Sequence, residues 1–315
     1  MTEQVQNAAA PAAVRVWRPY AALVVGVLAV STAAIFIRLA QGQGAPSLVL
    51  AAARLCVASV VLTPVVLRRR RAELRVIQAR DMALAVASGL VLGLHFASWI
   101  TSLEYTAVVN SVTLVTTNPL WVALLAPLVL KERVGRWTVA GLALALAGGI
   151  VVALSGEAGT PPTRQEPLLG NGLALFGAWM VSIYFVIGRQ LRARLSVIVY
   201  IWLVYSVAAI ILVVVVVASG QQVLGLPGEA YLWMVLMGLV PQLIGHSSFN
   251  YALGFLPAAY VTMVILIEPV GSGLLAMVFL DEWPVLLQIV GSGLILAGIA
   301  LATRESQVGK TALPD

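Results

Sequence analysis

Residues 119–148 return at 269–298 at a constant offset of 150, and the duplicated unit holds an odd number of apolar segments. Pro119-Leu120 through Leu124-Leu125-Ala126, Leu130, Glu132, Gly141 and Ala147-Gly148 recur as Pro269-Val270, Leu274-Leu275-Ala276, Leu280, Glu282, Gly291 and Ala297-Gly298. Eleven of these thirty positions are identical. An apolar background inflates such a count, so the Leu and Ala matches carry little weight. Pro119/Pro269, Glu132/Glu282, Gly141/Gly291 and Gly148/Gly298 carry the signal, because each residue type has a specific backbone or charge role. If every apolar segment crosses a membrane, two copies of a five-span unit lie upside down relative to each other. That layout places a substrate site between inverted halves.

Composition supports the membrane premise. The chain is 61% hydrophobic and 10% charged, with mean hydropathy +0.99. Uninterrupted runs of roughly 20 apolar residues read as membrane helices. Their continuity excludes the alternating pattern of a transmembrane β-barrel. The predicted helices cover roughly 20–40, 46–67, 82–103, 107–130, 136–154, 168–188, 196–218, 231–253, 258–280 and 284–303. The expected fold is therefore an all-α integral membrane protein, with ten transmembrane helices as two inverted five-helix repeats around a central cavity. Residues 1–19 form a cytoplasmic tail, 20–154 the first repeat, 155–167 an external linker, 168–303 the second repeat and 304–315 a second cytoplasmic tail. Residues 1–14 lack the short apolar core and cleavage site of a signal peptide. The single Cys56 lies within an apolar run and allows no intramolecular disulfide.

Orientation follows from lysine and arginine. With a cytoplasmic N-terminus, sixteen of the nineteen cations fall in inside segments, Arg164 falls outside, and Arg38 and Arg54 fall within spans. The net charge of +6 is thus a topology signal, not a nucleic-acid footprint. Lys131-Glu132-Arg133 follows the fourth span, on the inside. Its copy Asp281-Glu282-Trp283 follows the ninth and has lost every cation, as an outside loop should. The glutamate persists while its neighbours change sign. Glu132 and Glu282 are therefore expected to be structural, binding exposed amides at the start of the next helix.

These marks resemble the drug/metabolite transporter superfamily, specifically its EamA-type ten-helix members. The resemblance rests on Ala51-Ala52-Ala53-Arg54-Leu55, the stretch Ala107 to Asn118-Pro119, Leu130-Lys131-Glu132, Gly141 and Gly148-Gly149. The second half repeats them at Ala258, Glu268-Pro269, Asp281-Glu282, Gly291 and Gly298, so the likeness covers about 20–303. It implies spans 1–4 and 6–9 around a central cavity, with spans 5 and 10 peripheral. The length and aromatic-rich interior look like a bacterial amino-acid exporter of that superfamily. The resemblance also implies that Arg54 is a general family mark, which favours a structural role over binding a substrate carboxylate. Gly141, Gly148, Gly291 and Gly298 are expected to be scaffold.

Polar groups within hydrocarbon are costly and tend to face the bundle interior. Glu268 precedes Pro269 midway along the ninth span, and Asn118 precedes Pro119 midway along the fourth. Proline removes a backbone donor and disfavours helical geometry in the preceding residue. Two interrupted helices at matching depth point to the site. Glu268 either binds a substrate ammonium or cycles protons, or it holds helices together as a neutral acid or a partner of Arg54. His95, Trp99 and Ser102 share one helical face, as do Gln242, His246 and Asn250. These stripes line the cavity or act as interhelical glue. His95 and His246, 151 residues apart, are repeat mates within a one-residue slip. Inversion is expected to place them at opposite depths. Proton relay through them is a further option. Trp179, Ser182 and Tyr184 are expected at the cavity wall, with a lipid-facing Trp179 as the alternative. Arg38, near a span end, is expected to snorkel to the interface.

The function expected is inner-membrane secondary transport: export of small metabolites, above all amino acids including aromatic or other apolar ones, by alternating access. An uncoupled facilitator or a broad drug exporter is the alternative. Phosphorylated substrates would need several intramembrane cations. Gly245-His246-Ser247-Ser248 invites a hydrolase reading, but adjacent residues face different ways on a helix, and no nucleophile turn accompanies them. The chain is therefore read as no enzyme, with no metal and no cofactor. Its partners are a small-molecule substrate and membrane lipids, without nucleic acid, and a monomer suffices.

Overall fold

The computed structural model describes residues 17–132, 134–154, 166–281, 283 and 285–308, apart from some side chains in 152–153, 288, 299 and 302–308. Among the described residues there are helices and turns and no strand. Ten helical segments follow in order: α1 (Trp17–Gly42), α2 (Ser47–Arg69), α3 (Ala79–Tyr105), α4 (Val108–Val129), α5 (Arg136–Ala153), α6 (Pro167–Arg192), α7 (Val197–Ala218), α8 (Gly228–Ala252), α9 (Ala258–Phe279) and α10 (Leu286–Val308). Eight are long and apolar enough to cross a membrane. The continuous apolar parts of α5 and α10 are the shorter stretches Arg136–Val151 and Ile289–Gly298. The chain is a multi-pass membrane protein. A one-turn helix, Arg71–Arg75, sits between α2 and α3, where the sequence reading had only a loop. Glu282, Arg164, most of the 155–167 linker and the outermost tails, for which the sequence carries expectations, lie outside the described residues.

The inversion is visible in the way α5 packs on α10. A Cβ added to Gly148 would lie 2.5 Å from the Gly291 carbonyl oxygen, and one added to Gly298 would lie 2.4 Å from that of Gly141. Position 141 thus meets 298 while 148 meets 291, so the helices run antiparallel and the repeat-related contacts exchange. Without a hydrophobic drive between helices in lipid, close packing of small residues is what joins them. All four glycines lie at this close approach of α5 and α10. The same exchange recurs between α3 and α7 and between α2 and α8. A Cβ on Gly89 would meet the Val207 Cβ at 2.6 Å, and one on Gly238 would meet the Val57 Cβ at 2.5 Å.

Helices α4 and α9 are each interrupted just before the Asn118-Pro119 and Glu268-Pro269 pairs, at Thr116-Thr117 and Leu266-Ile267. The turns tighten identically: the Thr117 amide donates to the Leu114 carbonyl (3.2 Å) and Leu120 to Thr117 (3.0 Å), and Ile267 donates to Val264 (3.2 Å) and Val270 to Ile267 (3.0 Å). Proline without an N–H leaves a carbonyl one turn back without its helical donor, and the chain narrows to i→i+3 bonds there. Helix α1 is also broken, at Ser31-Thr32, where Ser31 Oγ donates to the Val27 carbonyl (2.8 Å) and Thr32 Oγ1 to that of Ala29 (2.7 Å). No proline marks that break. Both α4 and α9 end with a residue in the left-handed region, Lys131 at φ 57° and Asp281 at φ 55°, a second pair exactly one repeat apart in number.

The arginine-rich end is tied across the two halves. Arg189 Nε lies 2.7 Å from Glu132 Oε1, and Arg194 Nη1 lies 2.9 Å from Asp81 Oδ1. The Ser196 amide donates to Glu73 Oε1 (2.7 Å) and the Ala258 amide to Glu132 Oε2 (3.2 Å). Glu132 therefore does cap a helix start, but that of α9 across the molecule rather than the next helix, α5. Antiparallel neighbours bring the beginning of one repeat's fourth span beside the end of the other's. Arg38 does not simply snorkel: its Nη1 donates to the Leu103 carbonyl (2.9 Å), matching Arg189 Nη1 on Leu253 (2.7 Å).

Candidate functional site

A narrow cavity of about 30 Å³ lies between the two halves, at the level of the α4 and α9 breaks. It receives side chains from α1, α2, α3, α4, α6, α8 and α9, and none from α5, α7 or α10. The breaks position its two most telling polar residues, Asn118 and Glu268, each at the first turn of the resumed helix. Glu268 is 7% exposed. Among the described residues its carboxyl forms no ion pair within 4.0 Å, including with Arg54. Asn118 Oδ1 is buried and accepts no hydrogen bond from the described residues. Ser182 supports this break from α6: its Oγ donates to the Ala178 carbonyl (2.6 Å) and lies 3.1 Å from the Asn118 carbonyl oxygen.

Arg54 faces the same cavity from α2 and is fully buried. Its Nε donates to Gln242 Oε1 at 2.7 Å, and its guanidinium carbon lies 4.1 Å from the Phe96 ring centroid. Nη1 and Nη2 find no acceptor among the described residues. A cation over an aromatic face is attracted by the ring quadrupole, which offsets part of its desolvation. The guanidinium is thus anchored through Nε, and its other two nitrogens are buried without a partner among the described residues.

The histidines meet at the centre instead of separating in depth. Their ring centroids are 6.4 Å apart. His95 Nδ1 donates to the Gly177 carbonyl (2.9 Å), and its ring stacks on Trp99 at 5.9 Å. His246 Nδ1 is buried without a partner among the described residues. Its position stems from a π-helical segment, Gly238–His246, within α8. Gly89 and Gly238 are equivalent by their contacts and 149 apart, whereas Leu103 and Leu253, which accept from Arg38 and Arg189, are 150 apart. One additional residue is accommodated between them, as a π segment allows. His246 consequently aligns with Phe96 rather than His95.

Of the residues expected at the site, His95, Trp99, Asn118, His246 and Glu268 line the cavity. Gln242 lies behind it, on Arg54. Ser102 bridges to Ser111 Oγ (2.6 Å) and joins α3 to α4. Asn250 Nδ2 donates to the Tyr184 hydroxyl and to the His246 carbonyl, so both act as glue behind the wall. Trp179 is 42% exposed and packs edge-to-face on Trp121 at 5.3 Å, on the outer face of the bundle. An indole suits lipid as well as a cavity, and here it is exposed and does not line the cavity. Phe185 and Phe249 form apolar wall that sequence reading passed over. Their only signal is spacing: Phe249 follows His246 by three positions, and Phe185 follows Ser182 by three.

A duplicated helical membrane protein with broken helices around a central polar cavity is a transport protein in architecture. The chain belongs to the EamA-like transporter family, whose profile matches residues 17–154 and 168–304. It is 28% identical over 280 residues, 84% of this chain and 86% of the relative, to a "Probable terminal-alkyne amino-acid exporter" of Streptantibioticus cattleyicolor. It is 25% identical over 186 residues to the "Uncharacterized transporter YdfC" of Bacillus subtilis, spanning 59% of each chain. A crystal structure superposes with a TM-score of 0.69 over 91% of this chain and 99% of the other, at 20% identity, a likeness of fold.

Proposed function

We propose that this transporter exports amino acids, including apolar and aromatic ones, across the bacterial inner membrane by alternating access between its inverted halves, with both termini cytoplasmic. The observation that carries this reading is Glu268: a buried carboxyl at a helix break, beside the unfilled Asn118 Oδ1 and facing an aromatic wall. Acceptors of this kind suit a substrate ammonium, and Trp99, Phe185 and Phe249 suit an apolar side chain. The relative named as an amino-acid exporter supports the substrate class. The cation bias supports the orientation. A cavity of about 30 Å³ has room for a water or so and none for an amino acid. Loading therefore requires the halves to move apart, at one end or the other.

The test is uptake of labelled leucine and phenylalanine into proteoliposomes holding the full chain, with and without an imposed pH gradient. Wild-type protein is expected to accumulate substrate above equilibration. Glu268→Gln is expected to stay folded, to transport at least about tenfold more slowly, and to lose its pH response. Unchanged rate and pH response in that variant would reject the role of Glu268. Flux that never exceeds equilibration would favour an uncoupled facilitator.

A further inference from the structure

Among the described residues, cavity-lining side chains leave polar atoms unpartnered on several helices. On α2 and α3 these are donors, Nη1 and Nη2 of Arg54 and Nε1 of Trp99, and α8 adds His246 Nδ1. At the α4 and α9 breaks stand two acceptors, the unpartnered Asn118 Oδ1 and the carboxyl of Glu268, which makes no ion pair. Leaving two guanidinium nitrogens of a fully buried arginine without acceptors is costly. It is tolerated where a ligand supplies what the protein does not.

The duplication provides an internal control for whether packing needs this arginine. By the contacts of Gly89 and Gly238, the α2–α8 interface is the repeat equivalent of the α7–α3 interface. There the counterpart of Arg54 is Val204, and Leu92 and Gly93 stand where α8 carries Gln242. Val204 and Leu92 are both fully buried. The same backbone contact is thus made without any polar pair. Arg54 and Gln242 are an addition on one side of the pseudo-twofold, and the π-helical segment is the element that carries Gln242 to Arg54 Nε.

We propose that Arg54 is the receptor for a substrate carboxylate, and that Gln242 is the positioning residue that aims its two free guanidinium nitrogens into the cavity. Gln242 Oε1 occupies Nε and Phe96 lies against the guanidinium, so Nη1 and Nη2 are the nitrogens left for a ligand, and Trp99 Nε1 on the same cavity is a third unpaired donor among the described residues. A planar guanidinium edge matches a carboxylate. This deepens the amino-acid reading and rests on it for the ammonium end. The transporter then discriminates zwitterions from amines of the same shape.

The test is a binding titration on the purified full-length chain with L-phenylalanine, phenylalaninamide and 3-phenylpropanoate. Phenylalanine is expected to bind at least about tenfold more tightly than the amide, since a site built for a carboxylate rejects the analogue that lacks it. In Gln242→Leu, which installs the apolar character of the twin interface, that ratio is expected to fall towards one through loss of phenylalanine affinity. The ligand-free unfolding temperature is expected to fall as well, because Arg54 Nε loses its buried acceptor. The affinity ratio is therefore the readout: a ratio left unchanged in folded Gln242→Leu overturns the positioning role. Arg54→Gln should abolish the discrimination and Arg54→Lys retain part of it. The lysine variant decides if the glutamine one does not fold. Equal binding of phenylalanine and its amide to the wild type overturns the carboxylate receptor while the amino-acid reading stands. Arg54-dependent binding of 3-phenylpropanoate without binding of phenylalanine supports the receptor and sinks the amino-acid reading. Binding of none of the three overturns both.

Discussion

Gly148→Ala is the sharpest test of the inverted scaffold, because the contact is with backbone and has a twin. The added Cβ would lie 2.5 Å from the Gly291 carbonyl oxygen, 2.9 Å from the Ile295 amide nitrogen and 2.9 Å from the Leu294 Cβ. None of these is the far end of a flexible side chain, so α5 and α10 must part by roughly 1 Å. Overpacking of this kind costs about 1–3 kcal/mol, against a gain of about 1 kcal/mol from replacing a helical glycine. Gly298→Ala meets the Gly141 carbonyl at 2.4 Å and the Ala145 amide at 2.8 Å, so the two variants should lose similar stability. The double variant should lose less than the sum, since helices already parted accept the second methyl. Gly149→Ala, with Thr113 Cγ2 at 3.4 Å, and Gly293→Ala, with nothing within 4 Å, are controls on the same helices. The assay is thermal unfolding of purified protein in detergent followed by tryptophan fluorescence, with transport per folded molecule measured in parallel. Neither helix lines the cavity, so transport by the surviving folded protein should be near normal. Gly148→Ala and Gly298→Ala as stable as Gly149→Ala would refute the close-approach argument.

Two further outcomes follow from the arginine-rich end and the helix caps. Glu132→Ala removes the ion pair to Arg189 and the acceptor for the Ala258 amide, with an expected loss of about 1–3 kcal/mol. Glu132→Gln keeps an acceptor and should lose under about 1 kcal/mol, because the pair is partly exposed; unfolding curves that rank them the other way would contradict this account. Lys131→Gly relieves a left-handed backbone at φ 57° and should raise stability by about 1 kcal/mol. Asp281→Gly should gain less, since aspartate tolerates that region better and its Oδ1 accepts from Trp283 Nε1 (2.9 Å). A destabilised Lys131→Gly would show that its side chain holds more than its backbone strains.

Much of the scaffold was legible in the sequence, for physical reasons that can be named. A proline at mid-span has few ways to be accommodated, so Pro119 and Pro269 announced the breaks at 116–117 and 266–267. Glycines repeated at 141, 148, 291 and 298 marked positions with a specific backbone role, though not that each would face the copy of the other glycine on its own helix. The break at Ser31-Thr32 was not legible, because hydroxyls bonded to carbonyls at i−4 or i−3 are common in intact helices too. Angular placement around a helix was the weakest point. Trp179 was expected at the cavity and faces outward, since an indole satisfies either setting. Arg54 is expected to be structural because the resemblance makes it a general family mark; that its Nε is bonded while Nη1 and Nη2 are not is a difference between atoms of one side chain, which sequence does not carry.

The histidines show what a single residue does to such reasoning. A helical wheel assumes about 100° per residue, so an insertion turns every later side chain to a different face unless the backbone absorbs it. The π segment Gly238–His246 absorbs it here. Before it, Gly238 keeps the contact made by Gly89; after it, Leu253 keeps the one made by Leu103. The scaffold on both sides thus retains its twofold relation, and the disruption is confined to the residues between. Those residues include Gln242, which holds Arg54, and His246, whose ring reaches 5.2 Å from Phe96 and 6.4 Å from His95. Two identical halves would present matching surfaces to a substrate whose own ends differ. An inserted residue, like the exchange of Asn118 for Glu268 at the breaks, makes the cavity unequal while leaving the inverted packing intact. The asymmetry a substrate needs is therefore concentrated where the copies depart from one another, and the glycines and helix caps that they share are left to hold the frame.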